Sequence, residues 1–141
     1  MKPFADPNMD ISKYAAATAD VLIRGLVFQV NRTAKHCDAD AVHDLRVATR
    51  RLSQCLRAFS ILFPRRASRK IARRLARLRR LAGEVRNRDI AIEYLRRAGP
   101  RTQVARRMAV ERKQAAAELH AALISFRNRE PWLKWKDRLG I

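Results

Sequence analysis

Apolar residues recur at helical spacing in four stretches of the chain. In the first stretch they follow the i, i+3, i+4 pattern of a helix that buries one face: Ile11, Tyr14, Val21, Leu22, Leu26 and Phe28. Ala, Leu and Arg dominate the composition, and all three favour helices. The pattern predicts helices over about residues 10–35, 39–63, 68–98 and 102–128.

The predicted helices are separated by short segments that carry helix start and stop signals. Asp38 or Asp40 can cap the second helix, Pro64 ends it, and the pair Gly99-Pro100 ends the third. Linkers this short favour antiparallel neighbours. We therefore expect an all-α fold, an antiparallel four-helix bundle that forms a single domain over the whole chain of 141 residues.

The second predicted helix has an apolar face and, opposite it, a basic face. The basic face carries His43, Arg46, Arg50, Gln54 and Arg57, with Arg51 on its flank. No acidic residue occurs between Leu45 and Gly83, whereas 13 basic residues do. A solvated surface face is one interpretation. Exposed helices usually mix charges to gain i,i+4 pairs, so we favour a site for a bound polyanion.

The third predicted helix repeats this design. Its basic face carries Arg69, Lys70, Arg73, Arg77, Arg80 and Arg88. Asp89 interrupts the pattern because it projects from the centre of the apolar stripe, where a carboxylate needs a partner. Arg86 is one candidate partner, and a base from another helix is the second. We interpret Asp89 and Arg86 as structural rather than catalytic, since no second carboxylate accompanies Asp89.

The net charge narrows the class of partner. The chain has 32 Lys and Arg against 13 Asp and Glu, which gives a formal charge of +19. Self-repulsion of this size indicates a polyanionic partner: nucleic acid, anionic lipid or inorganic polyphosphate. Arg outnumbers Lys by 25 to 7. Its planar fork suits phosphate oxygens, although a coding bias towards Arg explains the ratio equally well.

Other classes of function find no support in the sequence. Cys37 and Cys55 lack the spacing of a zinc site, and the acidic residues are scattered singly. We therefore expect no metal site, no cofactor and no catalytic residues. Met1–Asp10 lacks the apolar core of a signal peptide, and charge interrupts the most apolar run, Val21–Val30. We expect a soluble cytoplasmic protein that does not enter membranes.

Two segments resemble the motifs of the CHAD family, the conserved histidine α-helical domain. Val42–Leu52 reads VHDLRVATRRL and is similar to the long first motif of that family. Gly83–Ile90 reads GEVRNRDI and resembles the G-x-x-R-D-x-D-V segment that follows, except that Asn87 stands where the family commonly has Asp. The resemblance extends well over about Ser12–Ala98 and loosely over the fourth predicted helix.

The resemblance implies two four-helix bundles related by a pseudo-two-fold axis, with inorganic polyphosphate bound in a basic channel. Matched position by position, the phosphate-contacting residues are His43, Arg46, Arg50 and Arg51. The helical wheel adds four further candidates: Arg57, Arg73, Arg77 and Arg80. We thus expect a non-enzymatic polyphosphate-binding module, associated with polyphosphate granules. A basic helical protein that binds nucleic acid is the alternative.

This chain supplies about half of the usual length in the family, so the second bundle must come from another copy or be absent. We predict a homodimer whose two basic faces regenerate the channel. Trp132, Leu133 and Trp135 are the candidate apolar contacts between the copies, because aromatic residues are enriched in interface cores. The other interpretation is that this tail folds back on its own bundle.

Overall fold

The computed structural model describes residues 10–99 and 103–141. Within these ranges the chain is all-helical, without a strand, as predicted. It forms five helices: α1 (Ile11–Lys35), α2 (Ala39–Ala58), α3 (Arg65–Ala98), α4 (Gln103–Arg129) and α5 (Pro131–Leu139). The predicted start of the fourth helix at Thr102 lies outside the described residues.

Local side-chain and backbone chemistry sets the helix ends. The Asp38 carboxylate accepts a hydrogen bond from the Ala41 N–H at 2.8 Å, so Asp38, not Asp40, is the N-cap of α2. Helix α2 ends at Ala58, five residues before the predicted end at Phe63, because the chain turns after Phe59, where Leu62 N–H donates to the Phe59 carbonyl at 2.9 Å. Pro64 therefore does not end α2. It is the N-cap of α3, and its carbonyl accepts the bond from Ser68 N–H at 3.0 Å. The helix thus begins three residues earlier than predicted, since the first-turn N–H groups need no intrahelical acceptor.

Each long helix packs against its neighbours in the chain, and α1 also packs against α4. The core between them consists of aliphatic side chains, each fully buried: Ile23, Leu26, Leu45, Leu52, Ile71, Leu75, Leu119 and Leu123. Removing one such side chain from water stabilises the fold by about 1.5–3 kcal/mol. The basic faces of α2 and α3 lie on the outside of this core.

The C-terminal tail is a fifth helix, which the sequence pattern did not predict. Glu130 takes a left-handed conformation (φ 46°), and Pro131 begins α5 in the position where its missing N–H is harmless. Trp135 is 4% exposed, and its ring lies 5.5 Å from that of Phe126. Lys136 forms an ion pair with Asp20 of α1 at 2.7 Å. The tail therefore folds back on its own chain.

This packing corrects the predicted role of the tail at a dimer contact. Trp132 is half-buried against Phe126, with ring centroids 5.6 Å apart, and Trp135 is buried. Both aromatic rings are thus held within one chain. Leu133 alone of the three candidates is largely exposed, at 57%, and one leucine is too small to form an interface core.

Asp89 links α3 to α4 and, through Arg112, to the segment between α1 and α2. Its carboxylate pairs with Arg112 of α4, with Nε and Oδ1 3.0 Å apart, and Arg112 Nη2 donates to the Cys37 carbonyl between α1 and α2 at 2.6 Å. The partner of Asp89 is thus the basic residue from another helix, Arg112. This corrects the alternative in which Arg86 pairs with Asp89, because Arg86 forms no ion pair within the described residues.

Candidate polyanion-binding surface

The basic face of α2 is presented to solvent as one line. His43, Arg50, Arg51 and Arg57 are exposed, whereas Arg46 is half-buried. The acid within this stretch, Asp44, is drawn away because it pairs with Arg32 of α1 at 2.6 Å. From His43 to Arg57 the line therefore carries basic side chains and the neutral Gln54, with no carboxylate on it.

Arg46 is the least exposed basic residue of this line. Its Nε is buried and has no hydrogen-bond partner. The guanidinium lies over Gly83 of α3, where an added Cβ would sit 3.9 Å from that Nε. The Thr49 hydroxyl donates to the Arg46 carbonyl at 2.8 Å and ties the backbone of this turn. A buried cationic donor without an acceptor is costly, so a bound anion would relieve it.

A groove runs between α2 and the first half of α3. Its charged side chains are Arg57 from α2 and Arg65, Arg69 and Arg79 from α3, and no acidic residue lines it. The small side chains of Ala72 and Ala76 line the stretch between the α3 arginines and leave the groove open. Ser68 also lines it, and the buried Ser68 Oγ has no hydrogen-bond partner. The groove thus offers guanidinium donors, whereas the Ser68 hydroxyl beside them is buried from solvent.

The three α3 residues that the helical wheel predicts do not line this groove. Arg77 and Arg80 line a different groove, between α3 and α4, which also contains Glu118. Arg73 lines a cleft between α3 and α5. The first half of α3 is therefore basic on every side that faces solvent. Only Arg57 of the four wheel candidates lies in the α2/α3 groove.

Arg65 and Arg79 were not among the predicted site residues. They lie with Arg69 at i, i+4 and i+14, a spacing that places them on one side of the helix. That spacing is visible in the sequence. The sequence does not reveal which of the basic residues that flank the apolar stripe of α3 lie towards α2.

Ion pairs are confined to the rest of the molecule. All nine carboxylate ion pairs of the described residues lie outside residues 45–83. Arg88, for example, pairs with Glu84 and with Glu111, the latter at 3.7 Å. The 13 cations between Leu45 and Gly83 thus have no carboxylate partner in the part of the chain that the structure describes. Repulsion among them is a standing cost that a bound polyanion would reverse.

The two cysteines add no negative charge near this surface. Burial raises the pKa of the Cys37 thiol and of the Cys55 thiol above the ordinary value. Both therefore remain neutral thiols at neutral pH, and neither is in a disulfide.

A family model, described as the CHAD domain, matches residues 20–140 of the chain. The chain belongs to the CHAD domain family. The two motif segments of this CHAD domain lie in contact, because Arg46 of the first segment lies over Gly83 of the second. Comparisons with curated proteins and with solved structures gave no match.

Two further observations concern residues 10–99 and 103–141 of this CHAD domain. None of their helices is both long enough and apolar enough to span a membrane. Within the same ranges, His, Cys, Asp and Glu side chains form no cluster of three or more that could hold a metal ion.

Proposed function

We propose that this CHAD domain binds inorganic polyphosphate, without chemical conversion, along the basic surface of α2 and α3. CHAD domains are associated with polyphosphate binding. The observation that supports the proposal for this chain is that, within the described residues, no cation of residues 45–83 forms an ion pair with a carboxylate.

The chemistry of the surface suits a chain of phosphates. A guanidinium offers a planar fork of N–H donors that pairs with two phosphate oxygens, and each such charge-assisted bond is short and strong. Arg50 and Arg51 are exposed for this contact, and the buried Nε of Arg46 lacks an acceptor. The four arginines that line the α2/α3 groove supply further guanidinium donors. A flexible phosphate strand can follow these donors along both helices.

Nucleic acid is the alternative partner, and the same surface is less suited to its single-stranded form. Proteins that bind such strands stack the bases on exposed aromatic rings. Phe63 is the aromatic residue that lines the α2/α3 groove, and it is 6% exposed. Tyr94, which is 76% exposed, lies on the second half of α3, outside the groove. Polyphosphate has no bases and needs no stacking platform.

Competition between long polyphosphate and duplex DNA tests the proposal. Binding is measured by displacement of labelled DNA at about 0.15 M salt and across a salt series. We expect polyphosphate to displace DNA at matched phosphate concentration. Preference for DNA at every salt concentration would favour the nucleic-acid alternative.

A matched pair of double variants tests the location. Arg50→Ala/Arg51→Ala removes two charges from the motif, and Arg106→Ala/Lys113→Ala removes two exposed charges from α4. We expect the first pair to weaken polyphosphate binding about tenfold or more, because each charge-assisted contact contributes about 1.5–3 kcal/mol. Equal losses in both variants would indicate diffuse charge and contradict a site on α2.

The absence of catalysis is part of the proposal. A phosphate-release assay with polyphosphate and magnesium checks it directly, and we expect no release above the rate without protein. Release that is abolished in Arg50→Ala/Arg51→Ala would instead identify an enzyme acting on phosphates.

We also propose the finer architecture that goes with this function. Helices α1 to α4 form an antiparallel four-helix bundle, half of the two-bundle CHAD architecture, and a second copy supplies the other half as a homodimer. The proposed location is the cytoplasm, at polyphosphate granules. Their enrichment in this protein, measured by fluorescence microscopy against Arg50→Ala/Arg51→Ala, tests that location.

A further inference from the structure

A second basic cavity lies between α3 and α5, away from the CHAD motif. The cleft has a volume of about 360 Å³, and none of the described residues that line it is acidic. Its charged side chains come from both helices: Lys70, Arg73, Arg74, Lys134 and Arg138. Within the described residues, none of these five cations forms an ion pair with a carboxylate.

Apolar packing and one ion pair to α1 hold α5 in its place beside α3. Trp135 and Leu139 are 4% and 5% exposed, and the Trp135 ring meets Phe126 of α4. Lys136, on the other side of α5, pairs with Asp20 of α1 at 2.7 Å. These contacts bring Lys134 and Arg138 towards the cations of α3. Like charges that converge without an acid between them repel, so an anion in the cleft would stabilise this arrangement.

The cleft and the α2/α3 groove border the same helix, α3, on neighbouring sides. Arg69 lines the groove and the next residue, Lys70, lines the cleft. A ligand that reaches from one to the other needs to cross a single helix, about 10–12 Å with its side chains. The α3/α4 groove differs because Glu118 places a carboxylate among its arginines. The unopposed cations thus continue from the groove, over α3, into the cleft.

We propose that the α3/α5 cleft is a second phosphate-chain site, in which Lys134 and Arg138 hold a long polyphosphate against α3. This inference rests on the proposed function and extends it to a part of the chain outside the motif. A long chain then occupies the α2/α3 groove and the cleft at once. The second occupied site raises the affinity for long polyphosphate through effective concentration.

The test compares Lys134→Ala/Arg138→Ala with Arg106→Ala/Lys113→Ala. Each double variant removes two positive charges from exposed positions, so the net charge changes equally. Affinity for long polyphosphate is measured by calorimetry at about 0.15 M salt, where exposed charges beyond about 8 Å are screened. We expect the cleft variant to bind about tenfold more weakly than wild type and the α4 variant to change less than about threefold. Circular dichroism melting curves check that both variants fold.

The outcomes separate the two proposals. Equal affinities of the two folded double variants would overturn the cleft as a site and leave polyphosphate binding at α2 intact. No binding of polyphosphate by the wild-type protein would overturn both. A loss confined to Lys134→Ala/Arg138→Ala, and repeated when the same pair is added to Arg50→Ala, supports the cleft as a separate site.

Discussion

Arg46 shows how one side chain depends on a second helix for its environment. Its guanidinium lies over Gly83, and its Nε is buried without a partner. Burial strengthens a contact to phosphate, because the local dielectric is lower than that of water. The affinity for polyphosphate should therefore depend on the shape of the side chain at position 46 as well as on its charge.

The variant Arg46→Lys tests this dependence on shape. Lysine keeps the positive charge but loses the fork and the Nε donor. We expect affinity for polyphosphate to fall about tenfold, the equivalent of about 1.4 kcal/mol. Calorimetric titration measures it, with Arg106→Lys on α4 as the matched control. An unchanged affinity in Arg46→Lys would mean that position 46 contributes charge alone.

His43 begins the basic line and is exposed. A phosphate chain beside an imidazole favours its protonated form, so affinity should rise as the solution is acidified from about pH 8 to about pH 5.5. His43→Gln should flatten this dependence, and His120→Gln, an exposed position on α4, should not. Identical pH profiles for wild type and His43→Gln would show that His43 does not contact the phosphate chain.

At the scale of elements, Asp89 joins α3 to α4 and, through Arg112, to the linker between α1 and α2. The Asp89 side chain is 13% exposed, so Asp89→Ala leaves a largely buried guanidinium without its carboxylate. We expect a loss of about 3 kcal/mol, or roughly 10 °C in the melting temperature. Asp137→Ala, which removes an exposed acid from α5, should melt close to wild type.

The same variant separates a structural role from a binding role. Polyphosphate affinity of folded Asp89→Ala, measured well below its melting temperature, should stay within about threefold of wild type. Unchanged stability combined with lost binding would contradict the structural assignment.

Asp20 ties α5 to α1. The hydrogen bond from Lys136 lowers the pKa of the Asp20 carboxyl below its ordinary value of 3.8. Because the folded-state pKa is depressed, the stabilisation is complete above the unfolded-state pKa and is lost as the pH falls through the folded-state pKa. Asp20→Asn should thus lower the free energy of unfolding at neutral pH by at most about 1 kcal/mol and lower the melting temperature accordingly.

The difference between wild type and Asp20→Asn should shrink as the pH falls below 3.8. Thermal melts across this range measure it, with Asp137→Asn as the control for net charge. A difference that persists in strong acid would show that Asp20 acts through packing rather than through its charge.

Local chemistry explains which elements the sequence could predict. The cap at Asp38 depends on neighbouring residues, so the sequence predicts the start of α2, and it places the start of α3 within three residues. The predicted end of α2 lies five residues too late, because the turn after Ala58 has no proline or glycine to mark it. Helix α5 has nine residues, too few for a clear periodicity, and its packing on Phe126 is a long-range contact. The α3 cations are divided between two grooves and a cleft. This division likewise depends on the rotation of α3 about its own axis relative to α2.

At the scale of the whole molecule, the predicted homodimer faces a charge of +19 on each copy. The rings of Trp132 and Trp135 pack within one chain, so the tail does not supply the apolar contact that could oppose this repulsion. Polyphosphate itself can oppose it, because one long chain neutralises the basic faces of two copies at once.

Dimerisation should therefore depend on polyphosphate and on its length. Light scattering at about 0.15 M salt should give the mass of one chain for the free protein and of two chains with a substoichiometric amount of long polyphosphate. Tripolyphosphate is too short to bridge two basic faces, so it should leave the protein monomeric. Arg50→Ala/Arg51→Ala should weaken the assembly and Arg106→Ala/Lys113→Ala should preserve it. A monomer under every condition, at concentrations well above the binding constant, would contradict the homodimer and leave a one-sided surface as the binding unit.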